Sequence, residues 1–496
     1  MKSALAAGGI ALAAGVVTLT PALVGVFYDD GLYAGLATAL ASGLGYVHPH
    51  LPGAPAAVHY PPLYPLVLAP IFGALPLDAA ALAGKLLNLA LGALAAGLVA
   101  WHATRVELLG PNAPRWLAAA LVAAAATAIP VLVMQSVLFA EPLFAVLLAT
   151  AVILADRGGS PWLVGVAAAL ALLTRSIGVA VGVGIACFLL VLRAPPPLPS
   201  PPWRRVAAAV LPVAVAGVGW GLWVLTHERG IDPALAVNYG SYLEVLRQAG
   251  LSALGVSVPD LPRPLAALTL GWLPWRWLYL VIATAALGVG LYGLALLTRR
   301  SAIGFTLICY LVILAVWPYT PDRFLWAVLP WLVLAWAAGA FALWRQVRLR
   351  VPVAILAAAV AGGYLQYEIR GFAGRWWDAQ ARGVSATFAD VLPVLVALPP
   401  DAVVASDDEA LVWLYTRRRS VPLFLERYRG REIVVPTPAE HRAYLERMGV
   451  THLLLASPTS PSAGTLRGLA AAYPGWLAVA YRWPGETGRW LFAVRR

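Results

Sequence analysis

From Ala4 to Phe27 the chain carries no ionisable side chain, and comparable apolar runs recur as far as about Gln366. An α-helix needs about 20 apolar residues to cross the hydrocarbon core, and lipid tolerates no unpaired backbone polar groups, so a chain built on such runs is expected to fold as a bundle of membrane-spanning helices. Hydrophobic residues make up 61% and charged residues 12% of the 496 positions, which excludes an ordinary soluble domain. The net charge of +12 would point to nucleic acid in a soluble protein. In a polytopic one the basic residues report topology instead, and no nucleic-acid partner is expected.

Lys2, Arg105 with Arg115, Arg157, Arg193 with Arg204 and Arg205, Arg299 with Arg300, and Arg345 with Arg348 and Arg350 form successive basic clusters. Placing each on the cytoplasmic side predicts spans near 4–27, 78–103, 115–130, 137–155, 161–174, 177–192, 206–226, 277–297, 302–318, 324–343 and 351–367. About eleven crossings leave the N-terminus inside and the C-terminus outside. The first run is longer than the apolar segment of a usual signal peptide and is read as a retained span. Cys187 and Cys309 fall inside predicted helices, so neither a disulfide nor a metal framework is expected. The Pro-rich stretch Arg193–Arg205 reads as a cytoplasmic linker. The stretch from His227 to Trp277 is a long outer segment whose Tyr239, Tyr242, Trp272, Trp275 and Trp277 suit interfacial anchors or a cover over a site.

Past Arg375 the pattern changes. Short apolar runs, "AVVAS" and "THLLLAS", alternate with helical segments, and "WLAVAYRW" and "RWLFAVRR" close on a hairpin through "PGETG". This predicts a small extracytoplasmic α/β domain over 371–496 beside a membrane domain over 1–370. Asp407 and Asp408, between a strand and a helix, read as helix-capping acids.

Asp29 and Asp30 stand at the outer exit of the first run, where Leu32, Leu36, Ala39 and Leu40 recur at helical spacing. The spacing predicts a short helix lying along the outer membrane face, with Tyr33 and Tyr46 as boundary residues. For the two acids, capping and chemistry are both open on spacing alone. His48, His50 and His59 lie nearby, but "HPH" lacks a usual ligand spacing, and no metal site is assigned.

The stretches "YDDGLYAGLATALASGLGY", "YPPLYPLVLAPIF", "QSVLFAEPLF", "LLTRSIG" and "PDRFLWAVLP" follow in this order from residue 28 to 330. Through them the chain resembles the multi-spanning GT-C glycosyltransferases that use polyprenyl-phosphate sugars, especially bacterial relatives of the protein O-mannosyltransferases and of the lipid A aminoarabinose transferase. The resemblance implies a GT-C-like helical membrane fold and transfer of a sugar from a polyprenyl-phosphate donor to an acceptor hydroxyl by inverting displacement. It implies Asp29 as catalytic base with Asp30 as partner, and substrate-binding positions at Tyr33, His59, Tyr60, Lys85, Glu141, Arg175 and Arg323. A carboxylate suits removal of the acceptor proton, and the arginines suit the charge left on the lipid phosphate. Glu141, set among apolar residues, either orients a substrate or pairs with one of the cations. The chain departs from several relatives in carrying Asp30, Gly31 and Leu32 where they carry a glutamate and then a basic residue. No cofactor is implied, the acceptor is a glycan, lipid or protein, and the expected location is the bacterial cytoplasmic membrane. A lipid-linked sugar flippase and a non-catalytic relative of the same fold are the rival readings. The flippase would place ionisable residues in mid-span and show repeats, whereas most charges here sit at helix ends.

Overall fold

The computed structural model describes residues 2–191, 202–250, 258–317, 319–429, 432–485 and 488–495. The Pro-rich linker therefore lies outside the described residues apart from the start of helix Pro202–His227, as do Glu486 and Thr487 of the hairpin turn. Packing divides the chain into two units, one of Met1–Leu19, Lys85–Gly221 and Ala253–Trp377, the other of Thr20–Gly84, Leu222–Ser252 and Asp378–Arg496.

The first unit is helical. Across both units, four helices among the described residues are long and apolar enough to cross a membrane, five if one bent pair is a single span, and six shorter apolar helices accompany them, of which Leu63–Ala74 lies in the second unit. Their bounds follow the sequence-predicted spans closely, as in Leu77–Arg105, Pro161–Thr174 and Arg276–Thr298. Helix Pro202–His227 exposes Val215, Val218, Leu222 and Leu225, each more than half open, as a lipid-facing surface requires. Helices Arg276–Thr298 and Leu329–Trp344 cross where both carry glycine: a Cβ on Gly293 would lie 1.7 Å from the Ala335 oxygen, and one on Gly339 2.1 Å from the Val289 oxygen. Such close backbone approach is how helices associate in lipid, where apolar side chains gain nothing by leaving the solvent.

Two predicted spans are corrected. The first helix is Lys2–Thr18 and does not run to Phe27. Thr18 bonds back to the Ala14 and Gly15 carbonyls, and Pro21 both lacks an N–H and forces Thr20 out of the helical region. The span expected over 115–130 breaks into Arg115–Ala126 and Ile129–Ser136, bent by 60°. Pro130 cannot continue the first helix, and the Glu368 carboxylate receives the Ile129 N–H that the break leaves without a carbonyl.

The second unit holds the α/β fold. Among strands β1 (Val403–Ser406), β2 (Arg419–Pro422), β3 (Arg427–Arg429), β4 (Glu432–Val434), β5 (His452–Leu455), β6 (Leu477–Arg482) and β7 (Trp490–Val494), β1, β5, β6 and β7 occupy the positions expected of the apolar runs and closing hairpin, while β2, β3 and β4 fall outside them. The main sheet runs β2-β1-β5-β7-β6, with β2, β1 and β5 parallel and the β6–β7 hairpin antiparallel; β3 and β4 pair separately. Helix Ala379–Val396 covers it through Phe388, Val391 and Leu395, and Val26 from the start of the chain joins that core.

Helix Asp29–Ala41 forms as the spacing predicts but does not lie open on a surface. Leu32, Tyr33, Leu36 and Ala39 are all buried, and so is Tyr46, which corrects their assignment to a membrane boundary. Gly31 is the reason: a Cβ there would stand 2.8 Å from the Gly25 Cα and 3.0 Å from the Ala410 Cβ, so only glycine lets the helix seat against helix Glu409–Thr416.

Candidate functional site

The residues singled out from the sequence fall into two groups, one in each unit. In the second unit, Tyr28 adopts φ 66° and ψ −72°, and the Asp29 N–H closes onto the Phe27 carbonyl at 2.8 Å. This is a γ-turn with positive φ at a residue other than glycine, a strained conformation that persists only where its surroundings enforce it. The turn starts the helix at Asp29. Asp30 then folds back: its Oδ2 accepts from the Gly25 N–H at 2.8 Å and its Oδ1 from the Phe27 N–H at 2.9 Å, with the side chain buried. Tyr28 holds the N-cap position without a side-chain bond, and both aspartates stand in the first turn of the helix.

Asp29 is only partly buried, and its Oδ1 accepts the Tyr60 hydroxyl at 2.9 Å. Burial first, and the Asp29 carboxylate next, hold the Tyr60 hydroxyl well above the ordinary phenol range, so it stays a donor. Tyr33 packs edge-on against Tyr60 and Tyr64, with centroids 5.0 Å away in each case. His59 rests against Tyr60 and Tyr242, and its Nδ1 meets the Gly240 carbonyl at 2.7 Å. Thus Asp29, Tyr33, His59 and Tyr60 are brought together, Asp29 being the most open of them.

Sequence reasoning missed a second polar cluster in this unit. The Tyr239 hydroxyl donates to Glu409 Oε1 at 2.5 Å and meets His50 Nε2 at 2.9 Å, joining three distant stretches of chain. Burial pushes the Glu409 carboxyl up to about 8 and the His50 imidazole down to about 3. Asp408 is raised to about 7, by burial and then by Asp407 and Asp30. Asp407 takes the Ser462 hydroxyl at 2.6 Å, while Asp408 stands at the expected N-cap position of helix Glu409–Thr416, with Glu409 in its first turn, but makes no side-chain cap bond. The pairing of residues 170 positions apart leaves no periodic trace in a sequence. Among the described residues no three His, Cys, Asp or Glu side chains are arranged to hold a metal ion.

In the first unit the cations gather on one carboxylate. Glu141, at the start of helix Glu141–Asp156, pairs with Arg175 and, at 2.8 Å, with the Nε of Arg323. The arginines come from the end of helix Pro161–Thr174 and from the short helix Asp322–Ala327. Their guanidinium carbons sit over aromatic rings, Arg175 at 4.6 Å from Phe324 and Arg323 at 4.4 Å from Phe139. Guanidinium groups gathered in this way are a chemistry suited to a phosphate. Lys85 is buried on helix Leu77–Arg105, one turn ahead of Asn88, whose amide donates to the Val137 and Phe139 carbonyls at 2.7 and 2.9 Å.

No family model and no curated protein sequence matches the chain. Solved structures do match. ArnT from Cupriavidus metallidurans in the apo state superposes with a TM-score of 0.55 at 18% identity, covering 98% of this chain and 96% of that one. The Archaeoglobus fulgidus oligosaccharyltransferase in complex with zinc and sulfate gives 0.56 at 13% identity, covering 99% and 73%. The same enzyme in the apo form gives 0.52 at 14%, covering 92% and 69%. At these identities the likeness shows the fold: this is a polytopic helical membrane protein with the GT-C architecture that the sequence motifs resemble, together with a small C-terminal sheet.

Proposed function

We propose that the protein is an integral membrane glycosyltransferase that moves a sugar from a polyprenyl-phosphate donor to an acceptor hydroxyl on the extracytoplasmic side. The observation that carries this reading is the Tyr60–Asp29 hydrogen bond, which fixes a partly exposed carboxylate at a strained turn. It occurs within a fold shared with an enzyme named for oligosaccharyl transfer. Asp29 takes the acceptor proton as the hydroxyl oxygen attacks the anomeric carbon; the bond to the lipid phosphate breaks with its electron pair, and the anomeric centre inverts. Asp30 holds the turn from behind, acting on Asp29 through the backbone. Tyr33 and His59 set the position of Tyr60.

Arg175 and Arg323 are the proposed seat of the donor phosphate, and Glu141 orders them; Lys85 is proposed as a further phosphate cation. The extracytoplasmic side, the bacterial cytoplasmic membrane and the division at about residue 370 belong to the same proposal. Most of the stretches expected outside, 28–77, 227–252 and 378–496, fall in one unit, which supports a common side, while 253–276 and 368–377 fall in the other.

The test is turnover of a panel of radiolabelled polyprenyl-phosphate sugars by purified wild type and Asp29→Asn. Loss of a general base costs roughly 10²- to 10⁴-fold, so transfer should fall by that factor with thermal stability unchanged. Full transfer by the Asn variant removes the proposed base.

A further inference from the structure

The Asp29 turn is seated on a helix from the far end of the chain, Glu409–Thr416. Ahead of the turn, Gly25 has φ 97°, and a Cβ on it would stand 2.7 Å from the Leu411 Cβ, so glycine is required there. Beyond the turn, Gly31 meets Ala410 in the same way. The Tyr415 hydroxyl receives the Val24 N–H at 3.1 Å. Both flanks of the turn thus rest on one helix, and Tyr28 stands between them.

Glu409, the first residue of that helix, is buried. Its Oε1 takes the single proton of the Tyr239 hydroxyl, so His50 Nε2, at 2.9 Å from the same hydroxyl oxygen, is assigned as the donor to it. The bonds therefore run one way, from His50 to Tyr239 to Glu409. The Tyr28 ring lies edge-on to Tyr239 with centroids 6.5 Å apart, and its buried hydroxyl faces the Glu409 carboxyl. Glu409, pushed up to about 8 by burial, is protonated near pH 7, so it places no second negative charge behind Asp29.

A leucine at 409 would fill this space without desolvating a carboxyl. What the carboxyl adds is direction: hydrogen bonds in a buried network specify one arrangement, where apolar contact tolerates several. The arrangement specified here is that of Tyr28, whose positive φ is strained and lasts only while its surroundings enforce it. The backbone angles at Tyr28 in turn set where the Asp29 side chain points. We propose that Glu409 is a positioning residue: acting through Tyr239 and Tyr28, it fixes the turn that aims the Asp29 carboxylate, so that the C-terminal part of the chain completes the catalytic loop. The consequence for transfer rests on the reading of Asp29 as base; the hold on the turn does not.

The test uses the full chain in phosphatidylcholine nanodiscs, with hydrogen exchange read by mass spectrometry over residues 22–32 and transfer measured from a radiolabelled polyprenyl-phosphate sugar. Glu409→Leu should exchange several-fold faster over that segment. Its kcat should fall roughly ten- to hundred-fold with KM for the lipid donor unchanged, as a misaimed group gives. Glu409→Gln keeps an oxygen for Tyr239 and should keep wild-type exchange and most of the kcat. Tyr239→Phe, which removes one hydroxyl and little else, should behave as Glu409→Leu. Exchange over β5 should match wild type in every variant, which separates a loosened turn from a loosened domain. Wild-type exchange over 22–32 in both Glu409→Leu and Tyr239→Phe overturns the hold. Faster exchange with kcat unchanged, in a protein that Asp29→Asn inactivates, overturns the positioning role, as does a Gln variant no better than the Leu variant. Asp29→Asn itself should exchange as wild type does. If it also transfers sugar normally, the base assignment falls, and the hold on the turn is decided by exchange alone.

Discussion

Asp29 and Asp30 are adjacent in sequence and opposite in employment. Asp30 spends both oxygens on the backbone of the turn, so Asp30→Ala strands the Gly25 and Phe27 N–H groups, at a cost of about 1–3 kcal/mol for each buried group left unmade. Its thermal unfolding midpoint should fall by several degrees, whereas that of Asp29→Asn should not move. Tyr60→Phe removes a hydrogen bond to a carboxylate, a contact worth about 1.5–3 kcal/mol in general, and transfer should drop by roughly ten-fold or more with the fold retained. At Glu409 the carboxyl is raised from 4.5 to about 8, so between those values the native state binds the proton and the unfolded state does not. Stability therefore falls as pH rises through that window, and Asp408, raised to about 7, acts with the same sign. Glu409→Gln should flatten the decline and raise the unfolding midpoint at pH 8, as differential scanning calorimetry across pH 5–8 would read. The acids at 29 and 30 could be picked out from the sequence because charge beside a long apolar run is conspicuous. Their division of labour could not, since it depends on Tyr60, 31 residues away, and on a turn whose φ no composition reports.

Elements were the most legible level. Pro161 opens a helix where its span was expected to start, Pro202 opens one four residues ahead of the expected 206, and the strands "AVVAS" and "THLLLAS" formed as alternating segments do. The errors came where a proline outweighed hydropathy, at Pro21 and Pro130, because apolar content measures affinity for lipid and is blind to a missing N–H. Helix Asp29–Ala41 was found but misplaced: its apolar spacing fits a lipid surface or a protein surface equally, and the buried Gly31 contact decides between them. At this scale Gly31→Ala should lower stability, with expression and unfolding midpoint both reduced. The cluster on Glu141 binds the ends of three helices. Removing one partner of a buried ion pair typically costs about 3–5 kcal/mol, because the remaining charge is left uncompensated. Glu141→Gln should therefore destabilise the membrane unit and raise KM for the lipid donor, measured on the fraction that remains folded.

At the scale of the whole molecule the second unit is assembled from three stretches that the chain visits early, midway and last. Val26 lies in the same apolar core as Phe388, Leu411 and Leu491, and Ser420 donates its N–H to the His50 carbonyl at 2.9 Å. Deleting residues from 378 onward should leave Val26 and its neighbours without a core, and the truncated chain should elute as aggregate on size exclusion even in detergent that keeps the full chain monodisperse. The sequence marks where such stretches begin and end through shifts in composition, but which of them share a core is a matter of contacts between residues hundreds of positions apart.

That arrangement also sets a timetable for synthesis. The loop bearing Asp29 emerges early, yet its packing partners leave the ribosome only after some four hundred further residues, which at 5–20 residues per second is on the order of a minute later. Throughout that interval the nascent segment waits with its apolar surface uncovered, and the core that covers it closes only when the last strand arrives.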